Sequence, residues 1–212
     1  MPATSRRGRR PADHGDTELS IRRAALRRFA DSGFDATRLR DIAADAGVDV
    51  ALISYRFGSK LGLWKAVVER LGANMLHQLA ASAASKMAPP GEALAACMKA
   101  LIDINCDNES IPRFFLHDAG GDPERSQWAF DHMSRPVLGH FLPFVRRAHD
   151  AGDVSAPIPE LFFLTFAYGA AVSAARRDRI VAFVPALADE DAFRQSLYTS
   201  LIAPHVRTLR HG

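Results

Sequence analysis

From Ile21 to Leu79 the apolar residues recur every three or four positions, and the recurrence is interrupted by Gly33, Gly47 and Gly58. That pattern confines the chain to short helices joined at tight corners. A 3.6-residue period gathers such residues on one helical face. Glycine ends a helix where the backbone must turn left-handed. Ile21, Ala25 and Phe29 form the first stripe, and Leu39, Ile42, Ala43 and Ala46 the second. Leu52 and Ile53 mark the third. Thr37 and Asp49 stand where caps for the second and third helices belong. A fourth stripe, Leu61, Trp64, Val68, Leu71, Met75 and Leu79, runs on to residue 86 before Pro89-Pro90-Gly91 stops it. At about 1.5 Å per residue it predicts a rod of roughly 40 Å.

Val, Ile and Thr nowhere alternate over the length of a strand, so the fold class is all-α. Beyond residue 91 the spacing predicts five more helical segments, near 91–107, 110–118, 123–150, 159–178 and 189–208, for about nine helices in total. Pro136 and Pro143 predict a kink or break in the third of these. The segment 159–178 opens apolar on every side. A helix without a polar face must be covered all round, which points to a second subunit.

Charge is unevenly placed. Residues 1–60 hold twelve Arg and Lys against eight Asp and Glu, a balance of +4, whereas residues 61–212 hold fifteen against sixteen. The excess at one end suggests a polyanionic partner for the first third of the chain. Arg6, Arg7, Arg9 and Arg10 lie among Pro, Gly and Ser in residues 1–16, a basic arm suited to lie along DNA. Cys97 and Cys106 have no zinc spacing and read as free thiols. The eight histidines lack HxxxH and HExxH spacing, so no metal or cofactor is expected. No GxSxG, GxGxxG or Walker A string occurs, and the sequence does not read as an enzyme. The first twenty residues lack an apolar run. The longest uncharged apolar stretch, Leu161–Ala175, is shorter than the about 20 residues of a membrane span. The expectation is a soluble, cytoplasmic protein.

Two short helices around Ala46-Gly47-Val48 read as a helix-turn-helix, with Gly47 at the corner and Ala43 small where the helices cross. The longer string IRRAALRRFADSGFDATRLRDIAADAGVDVALISYRFGSKLGLWKAVV is more specific. Over residues 18–68 it resembles the TetR family of bacterial transcriptional regulators. The resemblance rests on Ala24-Ala25-Leu26, Phe29, Gly33-Phe34, Thr37, Ile42-Ala43, Ala46-Gly47-Val48, Ile53, Tyr55 and Phe57-Gly58-Ser59-Lys60. Beyond residue 68 only the length and helical layout are similar.

The resemblance implies a basic arm (1–16), a three-helix DNA-binding domain (17–60) and a larger helical effector-binding and dimerisation domain (61–212). It implies a homodimer that sets residues 49–55 of each subunit in the major groove of a palindromic operator, repressing transcription until a small-molecule effector releases it. Thr37, Tyr55 and Lys60 match phosphate-contacting positions, and Arg56 adds charge beside them. Asp49, Val50, Ala51 and Ser54 stand at base edges. Direct readout from such side chains is sparse, so Arg38, Arg40 and the arm carry more of the binding. A helical ligand-binding protein without a DNA target and an enzyme on a helical scaffold are the competing readings.

Two further sets complete the expectation. Leu101, Asn105, Phe114, Phe115 and His117, with Trp128, His132, Met133 and Phe141, are the apolar and convergent polar types that line an effector pocket. Leu161, Leu164 and Tyr168, with Phe193, Leu197 and Leu201, are the stripes that pack into an intermolecular four-helix bundle. Pro204 ends or bends the last helix.

Overall fold

The computed structural model describes residues 14–82, 88–119 and 121–206. The head consists of α1 (His14–Ala36), α2 (Leu39–Ala46) and α3 (Val50–Phe57). The body follows: α4 (Lys60–Ser82), α5 (Pro90–Asp107), α6 (Ser110–Ala119), α7 (Pro123–Ala129), a π turn (Phe130–Ser134), α8 (Arg135–Asp150), α9 (Pro159–Ala175), α10 (Arg177–Phe183) and α11 (Glu190–Leu201). Because α7, the π turn and α8 run on as one rod, the described residues make ten helical rods. They contain no strand, only an isolated antiparallel bridge between Val154 and Val206.

The glycine corners fall where the spacing puts them. Gly33 takes φ 75° and ψ 173°, outside helical geometry, and kinks α1 before its last turn. Gly47 ends α2 in the left-handed region at φ 68° and ψ 34°, its N–H turned back to the carbonyls of Ala43 and Ala44. A methyl group at residue 47 would touch nothing within 4 Å, so the demand for glycine there is conformational and not steric.

One apolar core runs through head and body. α1 packs more extensively on α6 than on its head partner α2, so the head is not a bead on a rod. Phe29 and Phe34 of α1, Trp64 of α4 and Phe114 of α6 meet at this junction with ring centroids 5.8 to 6.4 Å apart. Burying each large ring contributes about 1.5–3 kcal/mol. The rod α4 is anchored by Leu63 and Trp64, both buried, whereas Leu61 is exposed and does not anchor it. Helical position explains the difference: Leu63 and Trp64 continue the face of Val67, Val68 and Leu71. Farther along, Gly72 lets α4 approach the π turn, since an added Cβ would sit 3.1 Å from the His132 carbonyl oxygen.

Several boundaries differ from the sequence reading. α1 begins at His14, so residues 14–16 belong to its first turn and not to an arm. Residues 1–13, with the four arginines, lie outside the described residues, as do residues 83–86 of the fourth helix. The irregularity expected at the prolines lies upstream of both, in the π turn. Pro136 follows directly on the π turn at the start of α8 within the continuous rod, and Pro143 is carried within that helix. The segment 159–178 divides at Arg176 into α9 and α10, and α11 ends at Leu201, short of residue 208.

Candidate nucleic-acid interface and ligand cavity

The outer surface of the head is built by α3. Ile53 is fully buried, α3 packs on α2 and α4, and Asp49 caps the N-terminus of α3 by accepting from the Ala51 N–H at 2.7 Å. The opposite face carries Val50, Ala51, Ser54 and Tyr55, all exposed, with Tyr55 at 85%. The head is braced from behind. Arg28 of α1 grips Asp45 of α2 with Nε 2.6 Å and Nη2 2.7 Å from the two carboxylate oxygens. The hydrogen bond from Arg28 holds the Asp45 carboxyl below its ordinary value. Ser20 adds a hydrogen bond to the Ala46 carbonyl.

Four of the sequence-derived DNA residues need correction or qualification. Thr37 is buried and does not cap α2. Its hydroxyl lies 2.6 Å from the Gly33 carbonyl and 3.1 Å from that of Arg28, where it closes the kink in α1. Arg38 is the N-cap, without a side-chain hydrogen bond, so the first N–H groups of α2 remain uncapped by any side chain. Lys60 is also turned inward. Its Nζ donates to the carbonyls of Phe34, Asp35 and Thr37 at 2.9, 3.3 and 3.1 Å and lies 4.4 Å from the Phe34 ring centre. An ammonium has three protons, and these three acceptors use them, so Lys60 fastens the start of α4 to the end of α1. Arg56 faces Glu18 across 3.9 Å, which offsets part of its charge. Arg38 and Arg40 are exposed at the start of α2.

A cavity of about 240 Å³ opens in the body between α4, α5, α6, the π turn, α8 and α9. Of the pocket residues named from sequence, Leu101, Asn105, Phe114, Phe115 and Met133 line it. Four do not. His117 faces a separate polar cleft beside Asp31 and Arg176, at the seam between α1 and the body. Trp128 packs on Trp64, and His132 stacks on Trp128 at 3.8 Å with its Nδ1 2.8 Å from the Trp128 carbonyl. Phe141 is core, 4.6 Å from Phe163. The reading missed the α9 side of the wall, where Ala167 and Ala171 line the cavity and the exposed Tyr168 and Val172 stand at its mouth. Apolar character all round α9 hid which of its faces is hollow.

The expected subunit interface changes too. Leu161 and Tyr168 are exposed at 56% and 62%, in line with Val172 at 43%, and Leu164 and Leu201 are half-buried. Phe193 and Leu197, in contrast, are buried within the subunit, where α11 packs on α5 and α9. They belong to the core. Arg194 next to them is held by Asp107 at 2.7 Å and by Glu190, and its pKa is raised by the Glu190 hydrogen bond. Burial pushes both thiols, Cys97 and Cys106, up to about 11, and both are free. No helix among the described residues is long and apolar enough to cross a membrane.

The described residues form a braced helix-turn-helix with an outward face, set on a helical body with its own cavity. Residues 21–67 match the model of bacterial regulatory proteins of the tetR family. An HTH-type transcriptional repressor of Mycobacterium tuberculosis is 38% identical over 78 residues, which are 37% of this chain and 41% of that protein. The chain thus spans about two fifths of the curated relatives it matches. The whole fold is similar to a solved chain from Shewanella sp. PV-4 described as a tetR family transcription regulator, at TM-score 0.67 and 18% identity over 90% of this chain and 98% of that one. It is also similar to the transcriptional regulator FadR from Bacillus subtilis in complex with stearoyl-CoA, at TM-score 0.66 and 14% identity over 87% and 97% of the two chains. Residues 21–67 thus match the tetR-family model, and the chain as a whole is similar in fold to solved chains described as transcriptional regulators.

Proposed function

We propose that the protein is a homodimeric repressor that reads a palindromic operator with two copies of α3 and leaves it when a small molecule fills the body cavity. The observation that carries this reading is the outward face of α3, with Tyr55 projecting fully while Ile53 pins the helix from behind. Val50, Ala51 and Ser54 meet base edges, the first two as apolar contacts to thymine methyl groups. Asp49, spent on its own helix cap, stays at the rim of the groove. Tyr55 donates to a phosphate, and the uncapped start of α2 with Arg38 and Arg40 takes a second. Arg56 contributes the charge that Glu18 leaves. Thr37 and Lys60 support the surface and do not touch the DNA.

Dimerisation uses the exposed stripe Leu161, Tyr168 and Val172 of α9, with Leu164 and Leu201 at its edge. A stripe of this kind on a small domain is stabilised by burial against its own copy. Cavity and head communicate through the Phe114–Trp64–Phe29 ring cluster. A ligand shifts the head only by as much as it prefers one arrangement of those rings over the other. Binding of the full chain to duplex DNA, followed as salt is raised, tests the reading. Affinity should fall with a log–log slope of about −0.9 per phosphate neutralised. Salt-independent or absent binding would leave a ligand-binding protein without a DNA target.

A further inference from the structure

The cavity itself specifies a class of ligand. Among the described residues that line it there is no Lys, Arg, His, Asp or Glu. A carboxylate, phosphate or ammonium entering it would leave its hydration behind with no opposite charge to meet. The occupant is therefore uncharged where it is enclosed. Four rings, Phe114, Phe115, Phe130 and Tyr168, make up much of the wall and favour a flat aromatic body stacked between them.

Ser126, Ser134 and Tyr168 add hydroxyls to this wall, and Asn105 is its most deeply buried polar side chain. Asn105 is only 3% exposed, and its amide nitrogen donates to the Leu101 carbonyl at 2.7 Å. That bond fixes which end of the amide is which, because a carbonyl can only receive a proton. Oδ1 is the end left over, and it accepts no hydrogen bond from the described residues. It is not among the fully buried unpartnered side-chain atoms of the described residues, so it keeps accessible surface on the cavity side. A ligand N–H or O–H arriving there supplies a donor that the described residues do not.

We propose that the cavity binds an uncharged aromatic molecule of one or two rings that donates a single hydrogen bond, from N–H or O–H, to Asn105 Oδ1. The volume agrees. An apolar cavity of about 150 Å³ holds benzene, and about 240 Å³ leaves room for a second ring or a short substituent. This ligand class rests on the reading that the cavity is the effector site, but it is tested separately from it.

The test uses the full chain and three probes of one shape: 2-naphthol, which donates a hydrogen bond, naphthalene, which does not, and 2-naphthoate, which is charged. Calorimetric titration without DNA should give binding of 2-naphthol, binding of naphthalene about tenfold weaker, the equivalent of one net hydrogen bond, and no saturable binding of 2-naphthoate. In Asn105→Leu the naphthol-to-naphthalene ratio should collapse to near one while naphthalene is retained. If that variant fails to fold, the ranking of the three probes on the unaltered chain decides alone. Equal affinity for naphthol and naphthalene, preference for naphthoate, or failure to bind either neutral probe would overturn the proposal. The same probes added to the protein on DNA that it has selected separate the two ideas. Naphthol that binds without releasing DNA contradicts the effector reading and leaves the ligand class standing. Release by naphthoate and not by naphthol does the reverse.

Discussion

The indole of Trp64 lies 5.9 Å from the ring of Phe114, with only 28° between their planes. One ring belongs to the rod that carries the head, the other to the wall of the cavity. Phe114 also meets Phe29 of α1 edge-on at 6.4 Å. A side chain displaced in the cavity therefore presses on two head-bearing helices at once. Phe114→Leu should keep the fold at a cost of about 1 kcal/mol and keep DNA affinity. It should shrink the loss of affinity that a cavity ligand causes. DNA titrations with and without ligand, on both proteins, check this. An undiminished ligand effect would move the coupling elsewhere.

Lys60 is predicted to act on stability and not on phosphate. Lys60→Met leaves the carbonyls of Phe34, Asp35 and Thr37 without their donor. Urea unfolding should show a loss of about 1–3 kcal/mol. The salt slope of DNA binding should be unchanged, whereas a phosphate contact would flatten it by about 0.9.

Gly47→Ala is expected to destabilise the head by about 1–2 kcal/mol, the cost of holding a Cβ in the left-handed region at φ 68°. The site has open space, so larger residues should cost no more than alanine, apart from asparagine, which tolerates this region and should cost less. A rising penalty with side-chain size would mean a steric cause. Thermal unfolding of the series measures it.

Leu161→Glu should give folded monomers in sedimentation, because the exposed α9 stripe would then carry a charge into the subunit contact. Phe193→Ala should instead lower the stability of each subunit by about 3–5 kcal/mol. Dimers that survive Leu161→Glu would place the contact on another face.

The Arg28–Asp45 pair predicts a sign for acid sensitivity. The folded Asp45 carboxyl titrates below its ordinary value of 3.8, so folding favours the charged form. Its contribution is complete above that ordinary value and is lost as pH falls through the lower folded one. Asp45→Asn should therefore flatten the decline in the head's stability between neutral and strongly acidic pH. A variant that declines as steeply as the parent chain would assign the sensitivity to other carboxylates.

The head was legible because its punctuation is local. Gly33, Gly47 and Asp49 do in the structure what their chemistry dictates in any chain, and the buried set Ile21, Phe29, Ile42 and Ile53 follows from spacing alone. Direction was harder to read. A threonine before a helix can cap it or turn to the preceding carbonyls, and a lysine can face phosphate or a helix end. Only the kink at Gly33, which brings those carbonyls to Thr37 and Lys60, decides between them. In the body, Phe193 and Leu197 have the same spacing as Leu164 and Tyr168. Whether such a stripe faces the core or a partner depends on where α5 lies, and that is not written in α11. The cavity was half legible for the same reason. Residues of α5 and α6 point inward by periodicity, while α9, apolar on all sides, gives no clue to the face that lines a hollow.

Selection of duplexes from a random library by the full chain bears most directly on whether α3 reads DNA as one of a pair. The enriched sequences should contain two inverted half-sites, their centres about 34–36 Å or a whole multiple of that apart, and enrichment should vanish for Leu161→Glu. A pool without enrichment, or one enriched in a single unrepeated site that Leu161→Glu still selects, would contradict it.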